Sequence, residues 1–325
     1  MTSSEKKYRI LNACSAEHYL VLLEPLRKFA DIINVGESET FKIPELIKTC
    51  DIYIATLQYK ITPELIRQCP RLKLVATPTT GKDHLPVEEL YKNNIEFYSL
   101  RESPELLERV TATAELTWGL LLALVRHIVP AAQDVLAGNW RRELFVGSQL
   151  AGKTLGIIGY GRLGRHMARY GKAFGMRVLC CDIKDDLPIA EGIEKVSLNE
   201  LLSAADVVTL HIHLDSENIN FFDSGKFAML KPGAILLNSS RGGVLDENAL
   251  LHALESGKLA AAGLDVLSCE WGNMLDNRLV QYAAKHRNLL ITPHCGGAAI
   301  DAQQMTFQEI IRRIALFMEN RENKR

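Results

Sequence analysis

Three polar residues in the second half of this 325-residue chain each follow an apolar run of strand length: Arg241, Glu270 and His294. An imidazole titrates close to neutrality and can carry a proton, and a planar guanidinium matches a carboxylate with two parallel hydrogen bonds. Because the carboxyl ends of parallel strands share one edge of a sheet, residues far apart in sequence can meet there. The sequence therefore predicts one polar site at that edge.

Each of these residues also has an ordinary interpretation. His294 alone could be a surface histidine, Glu270 a solvated loop acid and Arg241 a salt-bridge arginine. Their combination favours a shared catalytic site over three unrelated structural roles. No metal site is predicted, because Cys269 and Cys295 flank the acid and the histidine but match no usual zinc-ligand spacing.

The segment 153–182 organises the rest of the chain. An apolar run with the composition of a buried parallel strand is followed by Gly159, Gly161 and Gly164, spaced G-x-G-x-x-G, and then by a helical pattern. In such a unit the first glycine allows a tight turn and the second lets the backbone approach a pyrophosphate. The third lets the helix pack closely on the sheet. The pattern predicts a dinucleotide site, although the glycines could serve a tight turn alone.

The second strand of this unit is predicted over Met176 to Cys180, and Asp182 follows it. A carboxylate at this position accepts hydrogen bonds from the hydroxyl groups of the adenosine ribose and repels a 2′-phosphate. The sequence therefore predicts NAD rather than NADP.

Composition limits the class of protein. The length favours two domains, and a net charge of −1 gives no basic excess for nucleic acid. Residues 1–7 lack the apolar core of a signal peptide, and the most apolar helix candidate is too short to span a bilayer. Seven cysteines without a C-x-x-C pair suit a reducing compartment. We expect a cytoplasmic protein that binds neither nucleic acid nor membrane.

Alternation of apolar and amphipathic runs predicts two Rossmann-like or flavodoxin-like α/β domains with parallel sheets. We expect residues 1–104 and 298–325 to form a substrate-binding domain and residues 105–297 an NAD-binding domain. One long helix over residues 105–127, closed by Pro130, is predicted to join them, and a last helix near residues 299–319 to return the chain. The apolar side chains of Trp140, Leu144 and Phe145 suggest a subunit interface, or packing back onto the domain.

A loop rich in small residues, 77–84, follows the fourth predicted strand. Loops at the carboxyl ends of parallel strands bind ligands, and small side chains leave backbone N–H groups accessible to an anionic group. Alternatively, Gly81 is an ordinary turn glycine and Asp83 a helix cap.

Together these motifs resemble the D-isomer-specific 2-hydroxyacid dehydrogenase family. The resemblance covers nearly the whole chain and rests on six stretches: Gly81-Lys-Asp-His84, Thr113-Ala-Glu115, Gly159-Tyr-Gly-Arg-Leu-Gly164, Lys231-Pro-Gly-Ala-Ile-Leu-Leu-Asn-Ser-Ser-Arg241-Gly-Gly, Gly263-Leu-Asp-Val266 with Glu270, and Pro293-His294-Cys-Gly-Gly297. It implies an active-site cleft between two domains, NAD as cofactor, a small 2-hydroxy or 2-keto acid as substrate, and a homodimer.

The resemblance also implies residue roles. His294 would carry the proton, Glu270 would bond its other ring nitrogen and favour the charged form, and Arg241 would bind the substrate carboxylate and polarise its carbonyl. Substrate contacts are expected from Thr79, Thr80, Gly81, Arg241 and His294. Cofactor contacts are expected from Gly159, Tyr160, Gly161, Arg162, Leu163, Gly164, Asp182, His211, Asn218, Ser239, Ser240, Arg241, Asp265, His294 and Gly296.

Some positions leave alternatives open. Asp265 is expected at the nicotinamide carboxamide, but it could instead be a structural cap. The family usually has proline at the positions of His213 and Trp271 and threonine at that of Asn218, so the loop beside the cofactor phosphates and the mouth of the cleft are expected to differ. A binding protein that senses NAD(H), similar to transcriptional corepressors, would use the same fold.

Overall fold

The computed structural model describes residues 8–14 and 17–322. The chain divides into two compact units, Met1–Val110 with Ala299–Arg325, and Thr111–Ala298. The chain enters the second unit later than residue 105, because a short helix, α4 (Pro104–Glu108), buries Leu107 in the core of the first. The return at residue 299 lies one residue after the predicted boundary.

The first unit is built on a parallel sheet of five strands. Their order is β2-β1-β3-β4-β5, with β1 (Tyr8–Asn12), β2 (Ala30–Asn34), β3 (Ile52–Ile54), β4 (Leu74–Ala76) and β5 (Glu96–Tyr98). Alternate residues of each strand enter two separate cores, as Ile10 and Leu11 do. The other helices of this unit are α1 (Ile43–Ile47), α2 (Pro63–Arg67), α3 (Val87–Lys92) and α12 (Ile300–Glu322).

The second unit is built on a parallel sheet of seven strands in the order β12-β11-β10-β9-β6-β7-β8. The strands are β6 (Thr154–Ile158), β7 (Arg177–Cys181), β8 (Glu194–Lys195), β9 (Val207–Leu210), β10 (Ala234–Asn238), β11 (Leu259–Leu264) and β12 (Leu289–Ile291). The chain runs outward from β6 to β8 and then returns to the other side of β6. This reversal between β6 and β9 is the kind of switch point at which open α/β sheets bind ligands.

Seven helices cover this second sheet. They are α5 (Ala112–Val125), α6 (Ile128–Leu136), α7 (Arg162–Ala173), α8 (Leu198–Ala204), α9 (Ser224–Met229), α10 (Glu247–Glu255) and α11 (Arg278–Ala283). The fold class predicted from the sequence, parallel-sheet α/β in two domains, is confirmed.

The predicted helix over residues 105–127 is wrong in two respects. It is divided into two helices, α4 and α5. The second of these is separated from α6 at His127, whose φ of +54° is left-handed, and not at Pro130. Pro130 lies in the first turn of α6, where a missing N–H leaves no helical bond unmade. In the first unit, Glu17–Leu26 forms a 3-10 run, and it contains Pro25.

Candidate active site

The central contact of the site is a hydrogen bond of 2.7 Å between Nδ1 of His294 and Oε2 of Glu270. Both side chains are about three-quarters buried, with 28% and 25% of their surfaces exposed. Since the carboxylate accepts a hydrogen bond from the Nδ1–H group, Nε2 is the ring nitrogen that remains for proton exchange with a substrate. The pair has the composition of an acid–base catalyst with an orienting carboxylate.

The backbone of His294 is held in an unusual conformation. Its φ is +52°, in the left-handed region that few residues other than glycine occupy. Its N–H donates to the carbonyl oxygens of Asp265 at 2.8 Å and Thr292 at 3.0 Å. Such strain costs about 1 kcal/mol and persists only where neighbouring contacts impose it, which is common at functional sites.

Asp265 is the buried anchor of the loop that carries His294. Its Oδ1 accepts hydrogen bonds from the Thr292 hydroxyl at 2.6 Å and the Cys295 N–H at 3.0 Å. Its Oδ2 accepts one from the Gly296 N–H at 2.7 Å. Both oxygens therefore hold protein groups, as the structural-cap interpretation requires, and Oδ2 keeps one lone pair for a further donor. The contact to a carboxamide stays a prediction.

Arg241 lies in a turn that packs directly against the loop bearing Glu270. A Cβ on the next residue, Gly242, would lie 1.9 Å from the carbonyl carbon of Leu267 and 2.2 Å from the nitrogen of Ser268. The Leu267 N–H donates to Oε1 of Glu270 at 3.3 Å. Only a glycine allows this approach, so the second unit brings all three predicted catalytic residues to adjoining loops.

The turn after β10 is fixed from within by Asn238, which is fully buried. Its side-chain amide donates to the Arg241 carbonyl at 2.9 Å, and its Oδ1 accepts from the N–H and hydroxyl of Ser240 at 3.0 and 2.8 Å. The Thr117 hydroxyl donates to the Thr113 carbonyl, so the Ser239 hydroxyl must donate to Thr117, at 2.6 Å. Both serine hydroxyls therefore serve the turn, and their predicted cofactor contacts stay predictions.

The glycine-rich turn joins β6 to α7 at the switch point. Gly159 has a φ of +91°, and a Cβ there would lie 2.4 Å from the His211 carbonyl oxygen. A Cβ on Gly164 would lie 2.2 Å from the Gly159 carbonyl oxygen, so the helix starts in close contact with the strand end. Gly161 differs, because a Cβ there would meet nothing within 4 Å. The backbone is thus open at the position where the fingerprint places a pyrophosphate.

Asp182 lies directly after β7, beside this turn. Its Oδ2 accepts from the Tyr160 N–H at 2.7 Å, and its Oδ1 from the Lys184 N–H at 3.0 Å. Each oxygen keeps a lone pair for the hydroxyl groups of a ribose. Arg162 and Leu163 are the first two residues of α7, after its N-cap Gly161.

Two residues predicted to contact the cofactor have partners within the protein. Nε2 of His211 lies 2.8 Å from the Thr209 hydroxyl, and burial lowers the pKa of His211 to about 3. This ring is neutral at physiological pH, so it is no candidate for the proton donor. Asn218 closes its own loop, because its side chain accepts from the Asp215 N–H at 2.9 Å and donates to the His213 carbonyl.

The loop after β4 in the first unit turns its carbonyl groups toward protein donors. The Thr79 carbonyl accepts from the Leu100 N–H at 3.1 Å, and that of Thr80 accepts from Nε of Arg101 at 2.9 Å. The Gly81 carbonyl accepts from the Thr79 hydroxyl at 2.8 Å. The alternative interpretation of Asp83 as a helix cap is wrong, because the next helix, α3, begins only at Val87.

Sequence reasoning missed the residues that support the site from behind. Asn238, Gly242 and Glu247, whose carboxylate accepts from the Ser268 N–H at 2.6 Å, were not predicted. An asparagine that ends an apolar strand was the available signal for the first, and the Gly-Gly pair after Arg241 for the second. Nothing local marks Glu247, which lies in the first turn of α10.

The chain also matches a known family. The profile of the family described as D-isomer specific 2-hydroxyacid dehydrogenase, NAD binding domain, matches residues 118–296. The chain belongs to this family. It is accordingly an NAD-dependent D-2-hydroxyacid dehydrogenase, an oxidoreductase that interconverts 2-hydroxy and 2-keto acids.

Individual relatives differ in substrate. A glyoxylate reductase from Thermococcus litoralis is 34% identical over 84% of this dehydrogenase and 82% of its own length. A hydroxypyruvate reductase from Thermotoga maritima is 30% identical over 85% of this chain and 87% of its own length. A D-3-phosphoglycerate dehydrogenase from Bacillus subtilis is 32% identical over 91% of this chain, which spans only 54% of that protein.

Solved structures give the same family. The D-lactate dehydrogenase of Aquifex aeolicus, complexed with NAD and lactic acid, superposes with a TM-score of 0.84 and 27% identity, and the match covers 96% of each chain.

Within residues 8–14 and 17–322, no group of three histidine, cysteine or acidic side chains is arranged to hold a metal ion. No single helix in that part of the dehydrogenase is long and apolar enough to cross a membrane. Only residues 104–125 and 128–136 taken together, as a bent pair, meet the length and composition criteria.

Proposed function

We propose that this dehydrogenase reduces a small 2-keto acid to the D-2-hydroxy acid, with His294 as proton donor, Glu270 as its orienting carboxylate and Arg241 as the ligand of the substrate carboxylate. The observation that carries this proposal is the 2.7 Å hydrogen bond between His294 and Glu270. The loop that carries Glu270 packs against the turn that carries Arg241. The same residues catalyse the reverse oxidation, with His294 as the base.

In the proposed reaction, bound NADH supplies a hydride to C2 of the keto acid. Nε2 of protonated His294 gives its proton to the C2 oxygen, so that hydride and proton together complete the hydroxy acid. Glu270 accepts a hydrogen bond from the Nδ1–H group throughout, and its negative charge balances the imidazolium before the proton is transferred. Arg241 binds the carboxylate in a planar, two-bond geometry and stabilises the negative charge that develops on the C2 oxygen.

The residues that fit the cofactor surround the open backbone at Gly161. We assign the pyrophosphate to the turn and the first residues of α7, namely Tyr160, Arg162 and Leu163, and the adenosine ribose to Asp182. Gly159 and Gly164 shape that turn and do not need to touch the cofactor. The remaining proposed contacts come from the loops that follow β9, β10, β11 and β12: His211, Asn218, Ser239, Ser240, Arg241, Asp265, His294 and Gly296.

The loop Thr79–Gly81 of the first unit is proposed to bind an anionic group of the substrate. All three of its carbonyl groups already accept hydrogen bonds from the protein. The N–H groups of the same three residues donate to no acceptor in the described part of the chain. Adjacent N–H groups without protein acceptors can together bind an anion such as a carboxylate.

Relatives whose names specify glyoxylate and hydroxypyruvate reduction support the proposed substrate class. We expect NADH oxidation with at least one acid of a panel that contains glyoxylate, hydroxypyruvate, pyruvate and phosphohydroxypyruvate, followed by absorbance. NADPH should be a much poorer donor, and Asp182→Ala should reduce that preference about tenfold or more, because one repulsive charge near the 2′-phosphate is worth about 1–2 kcal/mol.

Two outcomes of this panel would contradict the proposal. Equal use of NADPH by the unmodified protein would remove the role given to Asp182. No turnover of any acid, with NADH still bound, would favour the NAD(H)-sensing binding protein over the reductase.

We also propose a homodimer formed through α6 and the segment after it. The supporting observation is a run of exposed apolar side chains, which includes Leu136 and Trp140, exposed by 87% and 86%, and also Ile128, Val135, Leu144 and Val146. Exposed apolar surface of this extent in one segment is typical of an interface. Seven free cysteines support a reducing compartment, and we propose the cytoplasm.

The oligomer is tested by sedimentation velocity. Leu136→Glu is expected to convert a dimer to a monomer, because it introduces a charge into the apolar contact. Val21→Glu, at an exposed apolar residue of the first unit, is the matched control and should leave the dimer unchanged. A monomeric unmodified protein, or a dimeric Leu136→Glu variant, would contradict the assignment.

A further inference from the structure

We propose that Arg101 is a positioning residue for substrate binding, and that it acts by fixing the carbonyl group of Thr80. The inference rests on the proposed function, in which the N–H groups of Thr79, Thr80 and Gly81 receive an anionic group of the substrate. Arg101 was not among the residues predicted from the sequence.

Because each peptide group is planar, a carbonyl group held in one direction also fixes the direction of the next N–H group. In a trans peptide the N–H of one residue points opposite to the C=O of the residue before it. The bond from Leu100 N–H to the Thr79 carbonyl therefore fixes the direction of the Thr80 N–H. The bond from Nε of Arg101 to the Thr80 carbonyl, 2.9 Å long, in the same way fixes the N–H of Gly81.

Arg101 itself belongs to a segment that several hydrogen bonds hold in place. It belongs to a 3-10 turn, Leu100–Glu102, that is closed by a capping box between Ser99 and Glu102. Arg313 of α12 donates to the Ser99 carbonyl at 2.7 Å and to Glu102 at 3.0 Å. The turn is therefore tied to the longest helix of the unit, and the guanidinium of Arg101 reaches the loop from a fixed base.

The Arg101 side chain is exposed, and the bond from its Nε to the Thr80 carbonyl is the one hydrogen bond that this side chain makes within the described part of the chain. A residue of this kind contributes little to global stability, whereas the loop it holds contains the three free N–H groups. Its loss should release the Gly81 peptide without unfolding the unit.

The experiment compares Arg101→Met and Arg101→Lys with the unmodified protein. The control is Arg109→Met, at an exposed arginine of the same unit that has no ion pair among residues 8–14 and 17–322. For Arg101→Met we expect about a tenfold rise in KM for the best keto acid of the panel, the effect of losing one charge-assisted hydrogen bond. We expect kcat, KM for NADH and Tm to change little. Arg101→Lys should restore part of the loss, because an ammonium group can still donate to a carbonyl oxygen.

A binding measurement separates this inference from the proposed function. Oxalate is titrated by calorimetry into the NADH-bound protein, and its affinity should fall about tenfold in Arg101→Met, whether or not any keto acid is reduced. Equal oxalate affinity and equal KM in the variant overturn the inference while reductase activity stands. An inactive unmodified protein that still shows the oxalate difference removes the proposed function and keeps the inference. No oxalate binding by the unmodified protein overturns the role of the loop and of Arg101 together.

Discussion

His294→Gln is expected to lower kcat for keto-acid reduction by about 10³-fold, the size of a general acid's contribution to proton transfer. Glutamine keeps a polar group near Glu270 but has no proton that it can release at neutral pH. NADH affinity should change less than threefold, since Asp265 holds the loop that carries residue 294 and a glutamine side chain can keep a polar contact with the cofactor. Steady-state assays of NADH absorbance, with NADH binding followed by fluorescence, measure both quantities.

His252→Gln is the control for this prediction, since His252 is an exposed histidine on α10 in the same unit. It should retain full activity. If His294→Gln keeps more than a tenth of the kcat of the unmodified enzyme, the proton must come from another group, and the neutral His211 is not one.

A pair of glycine substitutions should separate folding from cofactor binding. Gly242→Ala places a methyl group 1.9 Å from the Leu267 carbonyl carbon, a backbone atom that a rotamer change does not move. The two loops must separate, and we expect a loss of about 3 kcal/mol in the unfolding free energy of the second unit, or roughly 6–12 °C in Tm, together with most of the activity.

Gly161→Ala is the matched member of the pair. Gly161 has a φ of −71°, which any residue adopts, and its added methyl group meets nothing within 4 Å. Stability should therefore be unchanged or rise slightly, whereas KM for NADH should rise at least tenfold, because the methyl group fills the space proposed for the pyrophosphate. A normal KM for NADH in Gly161→Ala would place the cofactor elsewhere, and a normal Tm in Gly242→Ala would mean that the two loops yield.

Local patterns predicted the parts of this enzyme whose causes are local. The apolar run, the spaced glycines and Asp182 fall within about thirty residues, and β6, α7 and β7 occur where they were expected. The position of the helix breaks was harder, because a left-handed residue such as His127 ends a helix without a proline or glycine signal.

Roles that depend on distant partners could not be predicted. The Ser239 hydroxyl donates a hydrogen bond to that of Thr117, although 122 positions separate the two residues. Asp265 was expected at the cofactor, but its first partners are Thr292, Cys295 and Gly296, which a single sequence does not pair with it. A polar residue at a strand end can thus be recognised as part of a site before its partner is known.

The arrangement of the chain also determines the order in which the two units become complete during synthesis. In the sequence, the whole second unit lies between the two segments of the first, so it emerges from the ribosome before α12 does. Yet Phe307, Ile310, Ile311 and Ile314 of that helix are buried beside Ile10 in a core of the first unit. Until this helix is synthesised, the core of the first unit lacks these side chains, and the apolar surface that they later cover makes the nascent chain prone to aggregation.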